Sequence, residues 1–80
     1  MCKAIMAKYP VGATWQGVDE IGRIGTIWLE RRDGKHEMWY WSWCYPDGSY
    51  PYPHMDWQPT YRGCRDEIPD FQGIRFKRIK

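Results

Sequence analysis

The middle of the chain alternates its side chains as a β-strand does, yet it lacks the polar positions of a strand with one solvated face. Residues 37–45, EMWYWSWCY, place Trp39, Trp41 and Trp43 at every second position, with Tyr40 among the residues between them. A half-solvated antiparallel strand alternates apolar with polar side chains. The pattern therefore predicts a strand with apolar side chains on both faces.

Turn-forming residues separate this segment from other strand-like runs. ATWQGV at 13–18 and IGTIWLERR at 24–32 are rich in β-branched and aromatic residues. Asp33-Gly34 joins the second run to the tryptophan segment, and Asp-Gly between two such runs is a strong signal for a two-residue hairpin turn. Asp47-Gly48 ends the tryptophan segment, and the prolines at 51 and 53 predict a loop rather than a central strand.

After residue 56 the apolar spacing changes to that of a helix. Asp56 or Gln58 is suited to cap the start of this helix, Pro69 ends it, and residues 73–80, GIRFKRIK, read as a last strand. The chain is therefore predicted to be a single domain, residues 1–80, of the α+β class. Its architecture is a small antiparallel sheet of three to four strands with one short helix packed on one face. The apolar face of the helix consists of Trp57, Tyr61, Cys64 and Ile68.

The Asp33-Gly34 turn fixes a predicted pairing in which Trp28 lies opposite Trp39, and residues that lie opposite each other share a face. A slip of one residue would exchange the two faces of one strand. We assign the face with more aromatic area to the core beneath the helix, because leaving four tryptophans in water forgoes several kcal/mol at about 25 cal/mol per Å². This predicted core face consists of Trp28, Trp39, Trp41, Trp43 and Ile24.

The opposite face is then the predicted contact surface, because one helix, roughly 10 Å wide, covers only one side of the hairpin. Exposed apolar patches of this size usually mark a partner. We therefore expect a small non-enzymatic binding module for a protein partner or a second copy of itself, a profile typical of accessory proteins such as those of phages or prophages. The predicted contact residues are Ile27, Leu29, Met38 and Tyr40, with a polar rim of Arg31, Arg32 and Lys35.

Single-stranded nucleic-acid binding is the alternative hypothesis. Aromatic residues make up 18% of the chain, and exposed aromatic rings on a sheet stack unpaired bases while basic side chains hold phosphates. The twelve basic residues are nearly balanced by ten acidic ones, which weakens this hypothesis because nucleic-acid binders usually carry a clustered basic excess. The basic residues concerned form the last predicted strand: Arg75, Lys77, Arg78 and Lys80.

The sequence predicts no catalytic, metal or cofactor site. Cys44, His54 and Cys64 are spaced ten residues apart, whereas structural zinc sites usually contain ligands two to four residues apart. A cysteine nucleophile activated by His54 is neither supported nor excluded by spacing. Residues 1–10 lack the apolar core of a secretory signal, so we expect no such signal, and no apolar run is long enough to predict a membrane span. Three cysteines, an odd number, then indicate reduced thiols in a cytoplasmic protein.

Overall fold

The computed structural model describes residues 9–50, 55–68 and 71–80. They form a five-stranded antiparallel sheet in the order β4-β3-β2-β1-β5, with one short helix. The α+β prediction is confirmed, but the sheet has five strands rather than three to four. Within the described ranges, no helix has the length and apolar content that crossing a membrane requires. The elements are β1 (Thr14–Val18), β2 (Ile24–Asp33), β3 (His36–Cys44), β4 (Asp56–Gln58), α1 (Tyr61–Glu67) and β5 (Lys77–Arg78).

The first three strands form a meander at the three strand-like runs that the pattern predicts. The Asp19 carboxylate closes the turn from β1 to β2, since it accepts hydrogen bonds from the Arg23 backbone N–H at 2.8 Å and from the Arg23 guanidinium at 2.6 Å. Gly22 in this turn has a φ of 88°, which a residue with a side chain rarely adopts. Local hydrogen bonds therefore hold β1 against β2.

The predicted register of the β2–β3 hairpin is wrong by two residues next to the turn and by one residue beyond the bulge. Gly34 and Lys35 form the turn, Asp33 pairs with His36, and a β-bulge at Glu30 shifts the register between Leu29 and Arg31. Beyond the bulge, Leu29 lies opposite Trp39, and Trp28 lies opposite Tyr40. The observed register places Arg32 opposite Glu37, where the two form an ion pair at 2.8 Å. The predicted register would instead have set like charges opposite each other near the turn.

In the observed register, the tryptophans of β3 lie opposite residues other than those predicted. The face that they occupy is nevertheless the core, as predicted. Trp39 and Trp41 are buried, and they lie opposite Leu29 and Ile27, which are fully buried. Helix α1 packs on the same face and contributes Cys64, whose thiol donates to the Trp39 carbonyl at 3.3 Å. The core cluster consists of Ile27, Leu29, Trp39, Trp41, Cys64, Ile68 and Phe71.

Two glycines make room for the chain that follows the helix. Gly17 and Gly25 lie directly opposite each other on the core face. A Cβ on Gly17 would stand 2.9 Å from the Phe76 ring, and one on Gly25 would stand 3.0 Å from the Phe71 ring. The missing side chains therefore form a shallow trough in which both phenylalanines pack against the sheet.

The helix begins later than the sequence pattern predicts. Thr60, rather than Asp56 or Gln58, is its N-cap, and the Thr60 hydroxyl accepts a hydrogen bond from the Gly63 N–H at 2.9 Å. Trp57 therefore lies outside the helix, in the short strand β4, where it pairs with Tyr40. Tyr61, Cys64 and Ile68 do face the core, as predicted.

The last segment is mostly irregular rather than a full strand. Lys77–Arg78 pairs with β1 as strand β5, and Ile79 and Lys80 exchange further backbone hydrogen bonds with Thr14. The segment before it is tied to the helix by Arg65, whose guanidinium donates to the carbonyls of Ile74 at 2.8 Å and Phe71 at 3.3 Å. The same guanidinium lies 4.5 Å from the centre of the Phe76 ring. Helix α1 and this segment thus cover one face of the sheet together.

Candidate functional site

The two faces of the sheet differ in their exposure to solvent. The fully buried residues of β1 to β3 all lie on the face beneath α1, which we call the core face: Gly17, Gly25, Ile27, Leu29, Trp39 and Trp41. On the other face, the open face, the strand residues are half-buried or exposed. The contacts of α1 with β2, β3 and β4 are made on the core face. The described part of the chain therefore leaves the open face accessible to a partner.

An aromatic row crosses the open face at right angles to the strands. It consists of Trp57 on β4, Tyr40 on β3 and Trp28 on β2, which lie opposite one another in the register. Thr14 continues the line on β1. Neighbouring strands are about 4.8 Å apart, so the three rings occupy a strip about 10 Å across. This row places three aromatic side chains next to one another on the open face.

The rings of the aromatic row are oriented by specific contacts. Trp28 and Tyr40 stack on each other, with ring centres 5.8 Å apart and planes inclined by 26°. The Trp28 indole N–H donates to the Glu30 carboxylate at 2.6 Å, which fixes the rotation of the indole. Trp57 keeps 47% of its surface exposed. Each ring of the stacked pair thus turns one face toward the other ring.

A polar row runs parallel to the aromatic row, two residues further along the strands. Gln16, Thr26 and Ser42 lie opposite one another, and the Gln16 amide donates to the Thr26 hydroxyl at 3.2 Å. Lys77 of β5 lies opposite Gln16 and so joins this row. Hydroxyl and amide groups accept as well as donate hydrogen bonds. The open face therefore places directional polar groups next to a strip of apolar area.

The predicted contact surface is divided between the two faces. Ile27 and Leu29 have no accessible surface, because the slipped register turns them into the core; assigning them to a contact surface was wrong. Met38 and Tyr40 are half-buried on the open face, and Arg31 lies opposite Met38 there.

The other two predicted rim residues lie away from the aromatic row. Arg32 is on the core-face side, where its guanidinium pairs with Glu37. Lys35 is exposed in the hairpin turn. Of the predicted rim, only Arg31 therefore stands beside the apolar residues of the open face.

The basic residues predicted for nucleic-acid binding do not share a face. Lys77 is on the open face, whereas Arg78 lies opposite Trp15 on the core face and stands over the rings of Tyr9 and Trp15 at 5.3 and 5.6 Å. Arg75 and Lys80 are exposed outside the strands. Only one of the four predicted residues therefore lies on the same face as the aromatic row.

The thiols considered as nucleophiles lie on opposite faces of the sheet. Cys44 is half-buried on the open face opposite Ile24, and Cys64 is buried beneath the helix. Burial raises the pKa of the Cys64 thiol to about 12, so this thiol stays protonated near neutral pH. His54 lies outside the described residues. Among the residues that are described, no three His, Cys, Asp or Glu side chains form a group able to hold a metal ion.

The difference between the two thiols is measurable. In a Cys2→Ser variant at about pH 8, near the ordinary pKa of a cysteine thiol, we expect a thiol reagent to label Cys44 and to leave Cys64 unreacted while the chain is folded. A further Cys44→Ser change should abolish the native-state labelling, and urea should restore a reactive thiol. Rapid labelling of Cys64 without urea would contradict its position beneath the helix.

A shallow depression lies beside the helix in the described part of the chain. It encloses about 330 Å³ between α1 and the segment that follows it, and its lining is mostly polar. Arg65 in its wall is held by backbone carbonyls. Small-molecule sites are usually apolar pockets with a few converging polar groups. The depression lacks that character, so the open face is the stronger candidate site.

Sequence reasoning predicts Trp28 and Trp57 in the core, whereas both belong to the aromatic row on the open face. Pairing Arg32 with Glu37 would have corrected the turn, but only the bulge at Glu30 places Trp28 on the open face. Trp57 fits the helical spacing, and no sequence signal separates it from the helix except the Pro59-Thr60 cap that follows. The open face is thus built from residues of five strands and is suited to a broad contact rather than to bond-breaking chemistry. Comparison of the chain with protein-family models, with curated proteins and with solved structures finds no match.

Proposed function

We propose that this chain is a small non-enzymatic binding module whose open face contacts another protein. The observation that supports this proposal is the aromatic row, in which Trp28, Tyr40 and Trp57 stand together on the accessible side of the sheet. Tryptophan and tyrosine are the residue types that most often dominate binding energy at protein interfaces. The adjoining polar row supplies hydrogen-bonding groups of the kind found around such aromatic centres.

Two features of the row favour a protein over a nucleic acid. Trp28 and Tyr40 stack on each other, so one face of each ring is already occupied and a base would find only the outer faces. The Glu30 carboxylate is bonded to the Trp28 indole N–H at 2.6 Å, and its charge would repel a phosphate backbone. A protein partner tolerates both features, because it packs against ring edges and can offer a cation to the carboxylate.

The test uses three matched variants, each of which replaces an accessible apolar residue with glutamate. Tyr40→Glu and Trp57→Glu alter the aromatic row, and Ile21→Glu alters the exposed turn between β1 and β2. Loss of an aromatic residue at the centre of an interface typically costs about 2 kcal/mol or more, roughly a thirtyfold loss of affinity. We expect both row variants to lose the protein ligands, foreign or a second copy, that the immobilised wild-type chain retains from a nuclease-treated lysate of cells expressing this chain, and Ile21→Glu to keep them.

Circular dichroism of the three variants serves as the folding control. Equal capture by the row variants and by wild type would contradict the proposal. Titration with single-stranded oligonucleotides at low salt tests the alternative hypothesis, because stacking quenches tryptophan fluorescence and the effect weakens with salt. We expect no salt-dependent quenching; strong quenching, together with loss of all captured material after nuclease treatment, would favour nucleic-acid binding.

A further inference from the structure

Building on the proposed function, we propose that the partner is a second copy of this chain, docked open face to open face about a two-fold axis. In a two-fold interface the same patch is used on both copies, and every contact occurs twice. Such a patch must therefore be complementary to itself in charge and in shape. The open face meets this requirement beside the aromatic row.

The first argument for a second copy is the charge pattern beside the aromatic row. Glu30 and Arg31 are exposed neighbours at the β-bulge of β2, next to the stacked pair of Trp28 and Tyr40. Their charges are opposite, so two copies related by a two-fold axis can each set Glu30 against Arg31 of the other. A patch with a single sign of charge would repel its own copy. Here each charge has its complement one residue away.

The second argument for a second copy is the size of the open face. Four gaps of about 4.8 Å separate the five strands, so the outer strands lie about 19 Å apart, and the ten residues of β2 extend for about 33 Å. A specific interface of standard size takes roughly 800 Å² from each partner. That area is about one seventh of the 5652 Å² of accessible surface on this chain. Because β1, β4 and β5 have only five, three and two residues, the open face supplies the centre of such an interface and the surrounding turns supply its rim.

The sheet edges are poor alternatives for pairing two copies. The outer strands β4 and β5 contain three and two residues, so either edge provides few backbone hydrogen bonds for a strand of another molecule. Short edge strands are a common means by which proteins prevent pairing between sheets. A second copy is therefore expected on the face of the sheet rather than along its edge.

Charge-reversal variants test this proposal by complementation. Glu30→Arg makes both charges of this neighbouring pair positive, and Arg31→Glu makes both of them negative. We expect wild type to sediment as a dimer at high micromolar concentration, and each single variant to bind its own copy roughly tenfold more weakly or worse. An equimolar mixture of the two single variants should restore the dimer, because each acidic patch then meets a basic one.

Three outcomes separate the second copy from the broader proposal of protein binding. If the wild-type chain stays monomeric at high micromolar concentration, the partner is not a second copy. Capture of a foreign protein that depends on Tyr40 would still support the proposed binding module. Single variants that dimerise as tightly as wild type also overturn the second copy. Loss of the dimer in Tyr40→Glu, with recovery of the dimer in the Glu30→Arg and Arg31→Glu mixture, supports it. Circular dichroism of every variant shows that the fold is retained.

Discussion

Replacing Trp41 with alanine is expected to lower the free energy of unfolding by about 3–5 kcal/mol, the usual cost of removing a buried tryptophan. Trp41 keeps 2% of its surface accessible, and its indole N–H donates to the Glu67 carboxylate at 2.7 Å. The change therefore removes core packing and a link between β3 and the helix. Small domains are stable by only about 5–15 kcal/mol, so much of the total is lost.

The matched control is Trp57→Ala on the open face. Trp57 is 47% exposed, so we expect its replacement to change the free energy of unfolding by about 1 kcal/mol or less. Urea unfolding followed by circular dichroism gives both values without depending on tryptophan fluorescence. Equal losses for the two variants would mean that the sheet faces are assigned incorrectly.

Replacing Gly25 with valine is expected to cost about 3 kcal/mol, at the upper end of what overpacking a core usually costs. A Cβ at this position meets the Phe71 ring at 3.0 Å and the Phe76 ring at 3.1 Å, and the two further methyl-group carbons of valine add to the clash. Thr26→Val on the same strand points to the open face and should cost about 1 kcal/mol or less. Thermal or urea unfolding of both variants measures the difference.

A second substitution checks that the clash is the cause. In the double variant Gly25→Ala with Phe71→Leu, the smaller side chain gives the new Cβ room, so the combined loss should be smaller than the sum of the two single losses. Simple additivity would show that Gly25 is needed for its backbone rather than for the space above it.

The strands and the helix face could be predicted because they follow regular periods. Alternation placed β1, β2 and β3 correctly, and the spacing of Tyr61, Cys64 and Ile68 identified the face of the helix that packs on the core. The burial of Trp39 and Trp41 also agrees with the prediction. Regular patterns repeat over enough residues to be read from the sequence alone.

The register and β4 could not be predicted because they depend on single irregular residues. One extra residue at Glu30 exchanges the faces of β2 relative to β3 and so moves Ile27 and Leu29 into the core and Trp28 out of it. Nothing in the local pattern marks a bulge of this kind. Strand β4 has only three residues, and Trp57 also matches the period of the following helix.

The candidate site was only partly predicted for the same reason. Tyr40, Met38 and Arg31 were placed on the contact side and do lie on the open face. Trp28 and Trp57 complete the aromatic row only after the correct register and β4 are known. A site made of residues from several strands is predicted correctly only if the pairing of those strands is predicted correctly. A motif contained in one segment does not depend on strand pairing.

The trough formed by Gly17 and Gly25 has a consequence for how the chain folds during synthesis. The first half of the sheet can form from contacts between neighbouring segments, but the rings that fill the trough belong to Phe71 and Phe76. The nascent hairpin therefore emerges from the ribosome with its glycine-lined side uncovered. Until Phe76 has been translated and released from the exit tunnel, this side is exposed to chaperones and to neighbouring nascent chains.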